Sequence, residues 1–326
     1  MKKNLFIVGS PLQVINALEA IEHFGLKNIV FVVIYNGLSS NILQIENYLK
    51  KVNCEEIIKI QPASKSKFFR YVKLIRYLKK YRYANIFTGE FGSVFRVILS
   101  NLKKDKVFLI DDGVVTIRDY INFVKPNKLN TYSYRELRFL LVGLNIFLKG
   151  TINFFTYFKL EPIEGIDIVK NNLTFLKKDF ISNNIDYSDT VFFLGQPLDM
   201  FKDSDEFIYV LKEVSYKFFN KKIIYFPHRA EREYQLELVR KTIPSIEIQI
   251  INQPIEYYFI NNGICPKFVI SYVSTALFTT KLLFNDCEVK YIKIKNLNLN
   301  IVSEDYLQEI YKYFDKEDIL ELEILN

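Results

Sequence analysis

The chain has 326 residues, 49% hydrophobic and 16% aromatic (29 Phe, 22 Tyr, no Trp), enough for two domains with separate cores. Its three cysteines, Cys54, Cys265 and Cys287, are odd in number and scattered, which excludes a disulfide framework or CxxC metal spacing and fits a reducing cytoplasm. The net charge of +7 comes without a nucleic-acid-binding module, so no nucleic-acid partner is expected.

The apolar opening Leu5–Val8 is interrupted at once by Gly9-Ser10-Pro11. It is too short for a signal peptide and reads as a first buried strand. Ser10 is a suitable helix cap, with Pro11 at the first helical position, where a missing N–H costs nothing. Further strands are predicted at Ile29–Ile34, Glu56–Ile60, Asn85–Thr88 and Lys106–Ile110. Helical patterns at Pro11–Phe24, Ser39–Lys51, Ser66–Tyr81 and Phe91–Leu102 lie between them. That alternation predicts βαβ units on a parallel sheet.

Within this half, Lys65–Arg82 carries eight basic residues and no acidic one, interleaved with Phe68, Phe69, Tyr71, Val72, Leu74, Ile75 and Leu78. The apolar set recurs at helical spacing. A solvated surface helix and a contact with anionic lipid are the first two readings, with nucleic acid a poorer third. The apolar stretch Leu137–Phe158 is interrupted by Arg138, Gly143, Lys149 and Gly150. A spanning helix needs roughly twenty apolar residues with few charges, so this stretch is a poor candidate for one. Buried helix, acceptor-site lid and in-plane membrane contact stay open, with monotopic association preferred to insertion.

The second half repeats the theme. Strands are predicted at Thr190–Leu194, Lys222–Phe226, Glu247–Ile251, Lys267–Ser271 and Val289–Ile292. Helices are predicted at Asp205–Phe219, Ala230–Lys241, Ile255–Asn262 and Thr275–Phe284. Asn, Asp and Ser cluster between Asn171 and Ser188, which sets the domains at 1–180 and 181–326. A last helix, Glu304–Phe314, is a candidate to pack back on the first domain. The expected fold class is α/β of GT-B type, two Rossmann-like domains with parallel sheets facing a central cleft. Neither half carries G-x-G-x-x-G or G-x-x-x-x-G-K-[ST], so dinucleotide oxidoreductase and P-loop readings lose their main support.

Four polar clusters sit just past apolar strands, where open parallel sheets bind ligands. Asp111-Asp112-Gly113 ends one strand. Its acids either satisfy backbone N–H groups in a turn or form a half-shielded pair whose raised pKa suits a general base. Ser10 and Gln13 follow another strand. His228 is one of two histidines, the other being His23 in mid-helix. It follows Pro227 and precedes Arg229, a composition suited to phosphate. Ser271, Ser274 and Thr275 surround a strand-to-helix turn; one of them caps the helix, and several would suit phosphate oxygens. Gly195-Gln196-Pro197 is a tight turn where the backbone approaches a ligand. Asp203-Ser204-Asp205 has D-x-D form but reads mainly as helix-start acids, and no zinc site is visible.

In this order the clusters resemble the bacterial sialyltransferases of the glycosyltransferase-52 family and the related polysialyltransferases. These share an acidic D/E-D/E-G motif, a His-Pro motif and a short Ser/Thr motif. Here they correspond to Asp111-Asp112-Gly113, Pro227-His228-Arg229 and Ser274-Thr275. The runs Ser10-Pro11-Leu12-Gln13 and Phe193-Leu194-Gly195-Gln196-Pro197 add to the likeness, which spans residues 4 to about 285. One departure is that proline precedes His228 and Arg229 stands where the motif has proline.

The resemblance implies an inverting, metal-independent transferase that moves a nonulosonic acid from a CMP-activated donor to a surface-glycan acceptor of lipooligosaccharide or capsule type. It implies Asp111 or Asp112 as base, with Asp111, the first acid of the motif, slightly preferred, and His228 as the other catalytic group. Gly195, Gln196, Pro197, His228, Arg229, Ser271, Ser274 and Thr275 would hold the donor. Ser10, Gln13 and Gly113 would lie on the acceptor side. No cofactor is expected. A lipid-linked acceptor would place the enzyme in the cytoplasm, peripherally on the inner face of the bacterial inner membrane and in contact with its anionic lipid. Rival readings are a GT-B enzyme using a nucleotide-diphosphate sugar, a non-catalytic polysaccharide-assembly protein and an epimerase of this fold.

Overall fold

Strands buried on both faces read as unbroken apolar runs. The computed structural model describes residues 2–61, 67–202, 204–295, 298 and 303–324, and in it such runs form the central strands of two all-parallel sheets. The chain divides into two units, Met1–Phe175 and Leu176–Asn326.

The first unit holds β1 (Lys3–Val8), β2 (Ile29–Ile34), β3 (Glu56–Ile60), β4 (Arg82–Thr88), β5 (Lys103–Ile110), β6 (Asn153–Thr156) and β7 (Ile168–Lys170), in the order β3-β2-β1-β4-β5-β6-β7. Helices α1 (Pro11–Phe24), α2 (Ser39–Leu49), α3 (Lys67–Leu78) and α4 (Ser93–Asn101) make the first four crossovers. Register is set by aromatic rings. Phe31, Phe6, Phe87 and Phe108 are paired across β2-β1-β4-β5, with centroids 5.1, 4.6 and 5.2 Å apart. Phe24 of α1 closes over this row, 5.7 Å from Phe87 and 5.4 Å from Phe108. A one-residue slip in any strand would turn its ring to the opposite face.

The stretch Leu137–Phe158 is not a helix. It runs from the end of α6 (Tyr134–Leu137; α5 is Val115–Asp119) through a short 3-10 turn and irregular chain into β6. Gly143 and Gly150 take φ of +74° and +91°, which stops a helix. Asn145 accepts from the Phe147 N–H and donates to its carbonyl, fixing a local turn. Asn153-Phe-Phe-Thr then pairs with β5 as a fully buried strand. Among the described residues no helix is long and apolar enough to cross a membrane.

Helix α7 (Thr174–Lys178) runs through the join. The second unit holds β8 (Thr190–Leu194), β9 (Lys222–Phe226), β10 (Ile246–Ile248), β11 (Phe268–Ser271), β12 (Glu288–Tyr291) and β13 (Leu320–Glu321), in the order β10-β9-β8-β11-β12-β13. Its helices are α8 (Ser204–Lys217), α9 (Glu233–Thr242), α10 (Ile255–Asn261), α11 (Thr275–Leu283) and α12 (Glu304–Lys316). Phe314 of α12 stacks on Phe278 and Tyr291 of the same unit at 4.7 and 4.8 Å. In each sheet the order reverses once, at β1/β4 and at β8/β11. Such switch points are where open α/β sheets bind ligands.

Candidate active site

In the first unit the switch point gathers Ser10, Gln13, Glu90, Asp111 and Asp112. Ser10 caps α1, its Oγ accepting the Gln13 N–H at 3.2 Å. The same hydroxyl donates to Asp112 Oδ1 at 2.9 Å. Because β4 lies between β1 and β5, this bond crosses the end of β4. Gln13 is fully buried and its Oε1 accepts the Gly9 N–H at 2.7 Å. A Cβ on Gly89 would lie 2.2 Å from the Gln13 side chain, so glycine is required there. Gln13 therefore builds the turn, while Ser10 meets the acid. Gly113, with φ of +70°, lets the chain turn away after the pair.

The two neighbouring acids have different surroundings. Asp111 is 0% exposed. The Thr156 hydroxyl donates to Oδ1 at 2.6 Å and the Tyr157 N–H to Oδ2 at 2.9 Å. Asn16 donates to its carbonyl at 2.9 Å. Burial pushes the Asp111 carboxyl up to about 7, against these hydrogen bonds and that of Thr116. Asp112 is half-buried, with its backbone N–H donating to Thr116 Oγ1 at 3.0 Å. Asp111 thus faces the protein and ties β5 to β6, whereas Asp112 has access to solvent.

A third carboxylate, Glu90, was not singled out from sequence. It follows Thr88-Gly89, and the Thr88 hydroxyl donates to its carbonyl at 3.0 Å. Burial raises its pKa first, then the charges of Asp112 and Asp119. Asp119, buried, accepts from the Phe91 N–H at 3.2 Å and from Arg118 at 3.1 Å. The only sequence signal for Glu90 is a polar Thr-Gly-Glu at the end of an apolar strand, the same signal that marked the other clusters.

In the second unit, Gly195 follows β8, and a Cβ there would lie 2.3 Å from Glu231 Oε1, 2.5 Å from the Tyr225 hydroxyl and 2.9 Å from the His228 N. Glu231, three residues after His228, organises the loop. It accepts from the Tyr225 hydroxyl at 2.7 Å and from the His228 N–H at 2.7 Å, and its own N–H donates to the His228 carbonyl at 2.8 Å. Burial pushes the Glu231 carboxyl up to about 7. A helix was predicted from Ala230, but α9 begins at Glu233 because this turn comes first. His228 is therefore not at a helix start.

The imidazole has a defined state. The Ala230 N–H donates to His228 Nδ1 at 3.2 Å, which puts the proton of the neutral ring on Nε2. Burial and then the Arg229 charge lower the His228 pKa to about 4. At neutral pH His228 offers an uncharged Nε2–H donor, with exposed Arg229 beside it. Ser274 caps the nine-residue α11, its Oγ accepting the Ala276 N–H at 3.2 Å, which leaves the hydroxyl proton to donate; Thr275 follows, half-buried. Ser271 differs from both. It is 0% exposed and its hydroxyl donates to the Leu194 carbonyl at 2.8 Å, so it fastens β11 to β8 and does not face a ligand. Gln196 is buried and Pro197 half-buried. β9 and β11 flank β8, so their ends stand roughly 10 Å apart. A cavity of about 370 Å³ opens alongside, lined by Pro197, Asp199, Ala230, Arg232 and Gln235 among others. That is within the usual range of roughly 300–1,000 Å³ for small-molecule sites.

Among the described residues no three His, Cys, Asp or Glu side chains stand close enough to hold a metal ion. Of the D-x-D run, Asp203 lies outside the described residues and Asp205 is in the first turn of α8.

Residues 4–293 match the family model described as alpha-2,8-polysialyltransferase. No curated protein matches by sequence. Among solved structures, the GT-B domain of a Photobacterium damselae sialyltransferase is 10% identical, with a TM-score of 0.53 over 98% of this chain and 99% of that one. A Methanocaldococcus jannaschii UDP-GlcNAc 2-epimerase is 14% identical, TM-score 0.53, over 97% and 92%. A Neisseria meningitidis UDP-GlcNAc 2-epimerase is 11% identical, TM-score 0.52, over 96% and 91%. These likenesses show the GT-B fold, which transferases and epimerases share. The family match discriminates where the fold does not.

Proposed function

The chain belongs to the alpha-2,8-polysialyltransferase family, and from that premise we propose that it transfers sialic acid or a related nonulosonic acid from its CMP-activated donor to a glycan hydroxyl, with inversion. The reading is supported by the motif residues of both units standing at the strand ends beside each sheet's switch point.

In the first unit Asp112 is the general base, in preference to Asp111. Its carboxylate takes the acceptor hydroxyl proton as the oxygen bonds to the anomeric carbon. Asp111, enclosed and fully hydrogen-bonded, positions the turn that carries Asp112. Neighbouring Glu90, whose pKa burial and then the Asp112 charge raise, is a second proton-holding group of that region. In the second unit the bond from the anomeric carbon to the CMP phosphate oxygen breaks, and the electron pair leaves with CMP. The His228 Nε2–H, the Ser274 and Thr275 hydroxyls and the N-terminus of α11 stabilise that charge. A nucleoside monophosphate carries less charge than a diphosphate, so these donors suffice without a cation. The acceptor is a lipid-linked surface glycan, and the reaction runs on the cytoplasmic face of the inner membrane.

The test is CMP release from CMP-sialic acid, with and without a sialylated oligosaccharide acceptor. Release stimulated by acceptor is expected. Turnover of a UDP- or GDP-sugar in its place would establish the diphosphate-sugar rival. Absence of turnover with all donors would favour a non-catalytic assembly protein.

A further inference from the structure

The basic segment and the apolar segment, about seventy residues apart in sequence, meet in the first unit. Phe68 of α3 lies 4.8 Å from Phe139, and the Arg138 guanidinium sits 4.6 Å over the Phe68 ring. Arg76 donates to the Val142 carbonyl at 3.3 Å. Phe68 also touches Phe69 at 5.3 Å. This chain of contacts makes one surface of two elements. From it Phe69 and Leu141 project 70% and 88% exposed, with Leu137 and Leu140 also exposed. Exposed Lys67, Arg70, Lys73 and Arg76 line the same helix, which carries no acidic residue; Lys65 and Ser66 of the sequence-predicted segment lie outside the described residues.

The surface is held in place from beneath. Glu136 of α6 is buried and paired with Arg96 of α4 at 2.8 Å, and it closes the capping box with Ser133. The apolar tip is therefore fixed outward on a pinned turn. Large exposed apolar groups set among basic ones mark a docking surface. Cationic and apolar groups together fit the interface of an anionic bilayer, which takes the apolar groups below the headgroups and leaves the cations at the phosphates.

We propose that this composite face of α3 and residues 137–142 seats the protein on a membrane of anionic lipid, with Phe69, Leu137, Leu140 and Leu141 entering the interface and Lys67, Arg70 and Lys73 meeting lipid phosphates. The inference rests on the membrane part of the functional reading and names the surface that performs it.

The experiment is co-sedimentation of the full chain with vesicles of phosphatidylcholine alone or mixed with phosphatidylglycerol. CMP release on a soluble acceptor is measured on the same preparations. Binding to the anionic vesicles is expected, with a fall of about tenfold or more for Leu140→Glu with Leu141→Glu and for Arg70→Glu with Lys73→Glu. These side chains are exposed, so turnover on a soluble acceptor stays unchanged in both variants. Equal binding to neutral vesicles, or binding that neither double variant reduces, overturns the inference. So does failure to bind any vesicle, the outcome expected if a protein partner covers this face. A chain that binds vesicles but turns over no donor would leave the inference standing and sink the catalytic reading.

Discussion

Ser10 Oγ donates a 2.9 Å hydrogen bond to Asp112 Oδ1, fastening the turn after β1 to the turn after β5 across 102 positions of sequence. Asp111 is met from α1 at its backbone carbonyl, by Asn16, and its carboxylate accepts instead from Thr156 and Tyr157 at the end of β6. Adjacent acids are thus assigned different work by the strands they address.

The first prediction follows from that division. A general base contributes about 10²–10⁴-fold, so Asp112→Asn should lose that much rate with little change in melting temperature. Asp111→Asn should lower the melting temperature clearly and the rate less. Rate measured on a soluble acceptor, beside thermal unfolding of each variant, checks both halves. The reverse pattern would return the base to Asp111.

Gly195 gives the second. A Cβ there meets Glu231, Tyr225 and the His228 backbone at 2.3–2.9 Å, and overpacking of this kind costs about 1–3 kcal/mol. Gly195→Ala should therefore weaken CMP binding by about tenfold or more, because the displaced loop carries His228. Gly92→Ala, where the nearest atom is 3.9 Å away, is the control that should change nothing. Calorimetry with CMP reads both; equal affinities would detach Gly195 from the donor site.

Much of this was legible in the chain, for identifiable reasons. Strands such as Ile29–Ile34 are buried on both sides, and an apolar run is an unambiguous record of that. The motif residues were visible because strand ends are where polar groups follow apolar ones. What escaped depended on contacts distant in sequence. Nothing local distinguishes Asp111 from Asp112; Thr156, forty-five positions away, does. Ser271 has the composition of a phosphate ligand, and only its bond to Leu194 shows it to be structural. β6 hid in the stretch Leu137–Phe158 because its apolar residues are not periodic, and Gly143 and Gly150, which break a helix there, do not by themselves mark where a strand begins.

Activity should survive EDTA. The donors assigned to the leaving group are an imidazole N–H, two hydroxyls and a helix N-terminus, and the leaving group is a monophosphate. Asp205 sits where acids serve the first turn of α8. The check is turnover in excess EDTA with and without added Mg²⁺ or Mn²⁺. Loss that either ion restores would favour a diphosphate-sugar donor.

Stability should decline as pH rises from about 4 toward 7. The carboxyls of Asp111 and Glu231 are each pushed up to about 7 in the folded chain, from 3.8 and 4.5. A carboxyl with a raised folded pKa gives stability that is fully present below its unfolded pKa and lost as pH rises through the folded one. The window is therefore about pH 4 to 7 for both groups. Melting temperatures across it should fall in the native chain and fall less in Asp111→Asn and in Glu231→Gln. Parallel slopes in all three proteins would mean these groups titrate elsewhere.

His228 shifts the opposite way, and that separates it from the carboxyls. Its pKa is lowered from 6.5 to about 4, so it contributes stability above the unfolded value that is lost as pH falls through the folded one. At pH 7 the ring is neutral with its proton on Nε2, and it binds CMP as a hydrogen-bond donor without contributing a charge. A hydrogen bond to a charged group is worth about 1.5–3 kcal/mol, so His228→Ala should weaken CMP binding roughly 10- to 100-fold. His228→Gln, which keeps an N–H donor, should recover part of that loss. Imidazole nitrogen shifts followed from pH 8 to about 3.5 should show the Nε2–H form persisting until protonation near 4. A ring already cationic at pH 6 without ligand, or a Gln variant as weak as the Ala one, would mean that charge and not the fixed donor holds the phosphate.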